Sequence, residues 1–263
     1  MEKEQFGPVQ DVFLVKGDQF LLNQFITDGT IINRLEVAEY DHVFYQFPAL
    51  IIWKFYLEMA SDDETKAFAV SQSISRTLQK ERTKDKKKIY TLATNNPSDL
   101  LKYFRFIISA YVFSFNALEA YLNLRIDSFS PDLDDYVKLK ELTKNFKTSV
   151  LLHKKEDLIK ECSIEDKLIV ILPYILRKKS INYKVSSLHK TSFKRILFVR
   201  NELNHYKRLK QRSSAQNGTF KTSRLWNQLI PAFKDNKINL NFHPATFVVE
   251  LIKTIEDRFS RIN

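Results

Sequence analysis

The sequence predicts a mainly α fold: a helical bundle preceded by an N-terminal appendage that holds a short β-hairpin. Three observations point there. Glycine is scarce, with 4 in 263 residues, so neither the tight turns of an all-β sandwich nor the glycine-rich loop of a dinucleotide or Walker fold can be built. The segment from Leu100 to Leu124 is apolar almost all round, as a helix at the centre of a bundle is. Proline stands at helix entries such as Pro97 and Pro244, where its fixed φ suits the first turn.

The elements follow in order. Val12-Phe13-Leu14-Val15 and Phe20-Leu21-Leu22 read as a hairpin around Gly17, and Ile31-Ile32 with Val43-Phe44-Tyr45 adds a second strand pair. Pro48 opens a helix from Ala49 to Ala60. Ser61-Asp62-Asp63-Glu64 reads as the cap and acidic first turn of another, to about Leu78. Lys80 to Lys88 is a charge run and the clearest break in composition, which divides the chain into an N-terminal region, 1–90, and a helical domain, 91–263.

Beyond the break, Pro97-Ser98-Asp99 starts the long central helix, with Ser98 as cap, running to about Arg125. Its polar exceptions Ser109, Asn116, Glu119 and Asn123 form one stripe at helical spacing. A loop around Pro131 leads to a helix from Tyr136 to Phe146, and a short one spans Glu156 to Glu161. Ser163 caps a helix to Lys178 that Pro173 should kink or split. Ser186-Ser187 caps the next, Leu188 to Leu209; a short helix near Leu225–Ile230 and a last one from Pro244 to Phe259 complete the set.

With 44% hydrophobic and 28% charged residues the chain has the composition of a globular protein. One cysteine, Cys162, excludes an internal disulfide and a multi-cysteine metal knuckle, which fits a cytoplasmic setting. No signal peptide is visible at the charged N-terminus, and the longest apolar runs are too short to span a bilayer, so no membrane partner is expected.

The net charge of +11 is unevenly spread. From Leu176 to Arg224 the chain carries fourteen Lys and Arg against one acid, Glu202, so this segment is +13 and the remainder −2. A solvated surface usually mixes its signs. A concentrated positive field favours polyanions, and RNA is the expected partner.

Inside that segment, Phe193, Ile196, Val199, Leu203 and Tyr206 recur as a core-facing stripe. Arg200, Asn201, Asn204, His205 and Arg208 lie largely off it. Asn201 and His205 are one turn apart, so the amide can orient the imidazole. Arg200 can swing alongside the ring. A cation beside a base that titrates near neutrality is what RNA cleavage by its own 2′-OH requires: the histidine moves protons and the guanidinium steadies the phosphorane. Such chemistry calls for no cofactor, and no His-x-x-x-His pair suggests a metal. Lys194, Arg195, Lys207, Arg208, Lys210 and Arg212 are the expected phosphate contacts. Glu119, Asn123 and Asn116 are the expected support, with Glu119 holding Arg200 in an ion pair.

The run Arg200-Asn201-Glu202-Leu203-Asn204-His205 resembles the R-x(4–6)-H motif of HEPN domains, with the polar residue that commonly follows the arginine. Phe115-Asn116-Ala117-Leu118-Glu119-Ala120-Tyr121-Leu122-Asn123 is similar to the first helix of many members, whose Glu and Asn positions face the motif helix. The resemblance covers roughly residues 98–210. It implies a small helical bundle and a metal-independent endoribonuclease that leaves a 2′,3′-cyclic phosphate. It also implies a homodimer whose two motif helices form a composite site, in a defence or toxin–antitoxin setting with an antitoxin or other defence-system partner. A non-catalytic RNA- or nucleotide-binding module, or a structural subunit of a defence complex, is the alternative. Some HEPN toxins carry a tyrosine two residues after the histidine for control by a partner nucleotidyltransferase. Here Tyr206 follows His205 directly and position 207 is lysine, so that control is not carried over.

Overall fold

The structure, a computed structural model, describes residues 13–14, 31–32, 35–40, 43–48, 51–81, 88–94, 96–143, 155–204, 224–234 and 237–260. It is mainly helical and is organised around one long helix, α2 (Pro97–Asp127), counting α1 as Ile52–Ser71. Asn96 rather than Ser98 caps α2: its side chain accepts the Ser98 N–H at 3.1 Å, Pro97 fills the first turn and Asp99 meets the helix dipole. Tyr103, Ile107, Tyr111, Phe115, Leu118, Tyr121 and Leu122 are all buried on one broad side of α2, whereas Leu101 and Leu124 are exposed, so the helix is packed over much of its circumference but not all round as its composition predicts.

Helix α1 lies along α2 through a stripe at helical spacing, Leu57, Ala60, Glu64, Ala67 and Ser71, whose small members let the two backbones approach. The cap expected at Ser61 does not form; α1 runs through it unbroken. Its acids bond sideways instead. Asp62 pairs with Lys66 one turn on, Asp63 accepts a hydrogen bond from Ser109 of α2, and Glu64 turns into the core.

The helix expected to reach Leu78 stops at Ser71. Ser71 and Ser73 hydroxyls take the carbonyls of Phe68 and Val70, and the Gln72 amide reaches the Ile238 carbonyl at 3.2 Å. Ile74 then enters the core and begins a strand. The strands, in chain order, are β1 (Phe13–Leu14), β2 (Ile31–Ile32), β3 (Leu35–Tyr40), β4 (Val43–Pro48), β5 (Ile74–Glu81) and β6 (Lys88–Thr94). β5 and β6 pair antiparallel, Ile74 opposite Thr94 and Glu81 opposite Lys88, so the charge run joins two paired strands. The boundary placed at residue 90 thus falls within β6, and α1 and Ile74 share the core of α2.

Further upstream, Leu14 pairs with Ile31; the hairpin expected around Gly17 lies outside the described residues. β3 and β4 form a hairpin from Leu35 opposite Pro48 to Tyr40 opposite Val43. Pro48 therefore closes a strand, and α1 begins at Ile52.

After α2, helix α3 (Leu133–Leu142) starts three residues before the expected Tyr136, because Asp132 and Asp135 form a reciprocal capping box. Helix α4 (Lys155–Lys160) precedes α5 (Ile164–Asp166), which Ser163 caps as expected. A π turn, Lys167–Ile171, then widens the helix immediately before Pro173, and α6 (Leu172–Lys178) continues it. Proline lacks an N–H and crowds the carbonyl four residues back, here Ile169 inside that wide turn, which is how the split expected at Pro173 is realised. Helix α7 (Ser187–Asn204) is capped by Ser186, whose hydroxyl accepts the His189 N–H at 3.1 Å. Helix α8 (Arg224–Leu229), a small hairpin of β7 (Ala232–Lys234) and β8 (Lys237–Asn239), and α9 (Pro244–Phe259) follow. Among the described residues no helix is long and apolar enough to cross a membrane.

Glu64 explains how α9 is seated. Its carboxylate accepts the Ala245 N–H at 2.7 Å, the Thr246 hydroxyl at 2.6 Å and His243 Nδ1 at 3.2 Å, so a residue of α1 caps the first turn of α9. That bond holds the His243 imidazole above its ordinary 6.5. A group with a raised folded pKa stabilises fully below its unfolded value and loses that contribution as pH climbs through the folded one. In urea titrations, wild type should therefore exceed His243→Gln most clearly below pH 6.5, with the gap closing as pH rises. A gap that widened with pH would contradict the pairing.

Candidate functional site

Helix α7 carries the residues singled out by sequence. Phe193, Ile196 and Val199 are fully buried and Leu203 packs partly against the same core, so these members of the expected stripe face inward, while Tyr206 lies outside the described residues. Arg200 and Asn201 are half-buried on its flank, while Glu202 and Asn204 are exposed. His205, Lys207, Arg208, Lys210 and Arg212 lie outside the described residues.

The Arg200 guanidinium lies over the Phe115 ring of α2, 4.8 Å from its centroid, and donates through Nη1 to Asn201 Oδ1 at 3.1 Å. The ion pair expected with Glu119 is absent. Phe115 precedes Glu119 by one turn on the same side of α2, and an aromatic face holds a guanidinium there without neutralising it. Apart from Nη1, the N–H groups of Arg200 make no hydrogen bond among the described residues, leaving part of the fork free for an anionic group.

Of the supporting trio, Glu119 acts on another cation. Lys167, in the π turn, is almost fully buried, and burial pulls its pKa down while the Glu119 carboxylate pushes it up. The Lys167 ammonium donates to the Ile159 carbonyl at 2.6 Å, at the end of α4, which is a structural placement. Asn123 Oδ1 is buried without a hydrogen-bond partner, and Asn116 is half-buried.

The two neighbouring basic candidates separate sharply. Lys194 is exposed and only loosely paired with Glu165 at 3.9 Å, so it is available to a ligand. Arg195 is spent on the fold. Nη1 and Nη2 donate to the carbonyls of Asn241 and Gln228, each at 3.3 Å, and the guanidinium lies 4.8 Å from the Phe242 ring centroid. It also faces the buried Tyr111 hydroxyl, which burial pushes up to about 12 against the pull of the Arg195 charge. Neither Tyr111 Oη nor Arg195 Nε has a well-aligned hydrogen bond. Sequence reasoning placed Arg195 with the phosphate contacts because only its charge was visible there; its carbonyl partners are 33 and 46 residues distant.

Among the described residues no cluster of three or more His, Cys, Asp or Glu gathers to hold a metal. No protein-family model, curated protein or solved structure matches the chain.

What this surface can do follows from its free groups. Arg200 offers part of a fork that suits phosphate oxygens, and exposed Arg177, Lys184 and Lys194 surround α7 in sequence with positive charge that few acids offset. Arg195→Ala should cost on the order of 1–3 kcal/mol of unfolding free energy, since two carbonyls lose their donor and Phe242 its cation. Lys194→Ala, in contrast, should leave stability unchanged within about 0.5 kcal/mol. Equal denaturation midpoints for the two variants would overturn this division.

Proposed function

We propose that this chain is a HEPN-like, metal-independent endoribonuclease acting on RNA. The reading rests on one observation above the rest. Arg200 is held beside α2 with free N–H groups, five residues before His205, in a segment with fourteen bases and a single acid. His205 would take the proton of the 2′-OH and return one to the departing 5′-oxygen, acting as base and acid in turn. The 2′-oxygen then attacks the adjacent phosphorus, the P–O5′ bond breaks, and a 2′,3′-cyclic phosphate remains. Arg200 would offset the charge gathered on the phosphorane oxygens. In this reading two copies of the chain bring their α7 helices together in a homodimer, and Lys207, Arg208, Lys210 and Arg212 hold the strand. A defence or toxin–antitoxin role, with a partner that restrains the site, belongs to the same proposal.

One observation favours a second reading, an RNA-binding module without turnover. The Asn201 carbonyl oxygen accepts from Arg200, which holds that guanidinium in place to grip a phosphate even where His205 moves no proton. Under that reading His205→Ala spares function, whereas neutralising Lys207 and Arg208 weakens binding.

The deciding experiment is cleavage of single-stranded RNA in excess EDTA. Wild type should leave 2′,3′-cyclic ends, and His205→Ala should be slower by at least about a hundred-fold. Arg200→Lys keeps the charge but not the fork and should also fall well below wild type. Retained RNA binding without cleavage in wild type and variants alike would favour the binding module, and neither binding nor cleavage would remove both readings.

A further inference from the structure

Of the two tryptophans in the chain, Trp53 packs edge-on against Tyr121, while Trp226 is 38% exposed. Trp226 stands on α8, a helix of six residues, too short to persist by its own backbone bonds. Long-range contacts hold it instead. Leu225 and Leu229 are buried beneath it. The last carbonyls are each taken by a side chain from elsewhere: Asn227 by the Asn241 amide at 2.9 Å, Gln228 by Arg195 at 3.3 Å, and Leu229 by the Tyr103 hydroxyl at 2.8 Å. The indole is steadied further by Phe104, whose ring centre lies 5.1 Å away at 74°. A large aromatic ring is therefore held firmly and left partly open to solvent, among other uncovered apolar groups, Ile230 at 38% just past the end of α8 and Leu101 at 74% one turn before Phe104.

Exposure of this kind marks an interaction surface, and the charge around it selects the occupant. α8 begins at the exposed Arg224, the last base of the +13 segment, and Leu101 and Phe104 alternate in sequence with Lys102 and Arg105. Asp99 is ion-paired with Lys102 and accepts from Ser73, so that pair cancels and the positive charge near the indole comes from Arg224 and the exposed Arg105. A protein partner for an apolar patch is ordinarily matched by apolar surface, whereas an open indole amid positive charge suits an unpaired base with its phosphates. We infer that Trp226 is a base-stacking platform, so that the RNA taken by this chain is single-stranded around the ring rather than paired. A base inside a duplex has both faces covered and cannot stack on it. The inference rests on the RNA reading above and adds the substrate class. Arg195 and Tyr103 are its positioning residues, since both hold α8 and neither needs to touch the base.

The test uses the full chain and a fluorescein-labelled 2′-O-methyl oligonucleotide, which lacks the attacking hydroxyl and is not cut, as a single strand and as a duplex of equal length. Trp226→Ala should bind the single strand on the order of ten-fold more weakly, and Trp226→Phe should retain most of the affinity. Trp226→Leu keeps apolar area without a stacking face and should resemble Trp226→Ala. Duplex binding and the salt dependence of both should be unchanged, because no phosphate contact is lost. Quenching of tryptophan emission by the single strand should disappear in Trp226→Phe. Matched thermal midpoints for the variants separate the effect from misfolding. Wild-type binding that is indifferent to Trp226, or a duplex loss equal to the single-strand loss, sinks the platform and leaves the RNA reading standing. Absence of any binding by wild type sinks the RNA reading, and the platform with it. A Trp226→Leu variant as tight as wild type would show that the ring supplies only apolar area, which also overturns the inference.

Discussion

The fold depends on where α2 buries the polar ends of its tyrosines. A helix that is apolar on nearly every side accepts neighbours all round but says little about which neighbour sits where, since apolar contact is not directional. Tyr103, Tyr111 and Tyr121 are each 0% exposed, and each hydroxyl needs a partner or costs about 1–3 kcal/mol. Tyr103 donates to the Leu229 carbonyl and fixes α8. Tyr121 donates to the Glu256 carboxylate, which Arg125 also bonds, and fixes α9. Tyr111 faces Arg195 without a well-aligned hydrogen bond, so α7 is seated by its apolar stripe rather than by that hydroxyl. Burial drives all three phenols above their ordinary range, and the hydroxyls of Tyr103 and Tyr121 serve as donors. The register of α8 and α9 is thus written into α2.

How much of this can be read along the chain depends on the reach of each signal. Helix entries with a local mechanism were legible: Pro97 and Pro244 stand in first turns, and Ser163 and Ser186 accept the N–H three residues on. Ser61-Asp62-Asp63-Glu64 carries the same local grammar and misleads, because Glu64 caps α9 across the core and not its own helix. β5 likewise reads as helix until its partner strand is known, for pairing with β6 is a tertiary fact. At the candidate site the inward stripe of α7 was legible from period alone. The partner of Arg200 was misplaced by a single turn of α2, from Phe115 to Glu119, since sequence gives the face of a helix more surely than the height at which another helix crosses it.

The basic segment shows a related limit. Counting charges predicts the field, but a ligand meets only the donors that remain free. Lys178 is held by Asp135 and Asp132, so its charge is answered locally. Arg195 is equally occupied yet differently: its partners are neutral carbonyls and a ring, so its donors are used while its charge still contributes to the field. Arg200 keeps both charge and part of its fork. Three bases that look alike in sequence therefore do three things: cancel an acid, hold the fold while adding to the field, and remain open to a phosphate.

Arg195 and Arg200 also lie on opposite flanks of the α7 stripe, five residues and some 140° apart at about 100° per residue. One flank ties α7 to α8 and to the entry of α9; the other lays Arg200 on α2. The position of Arg200 over Phe115 is therefore set by how α7 is seated, and that seat includes Arg195. A substitution at Arg195 reaches Arg200 through the helix without touching it. A loss of RNA affinity on changing Arg195 would consequently not make it a phosphate contact. The distinction lies in the salt slope, which falls when a phosphate contact is removed and holds when only the seat of α7 is disturbed.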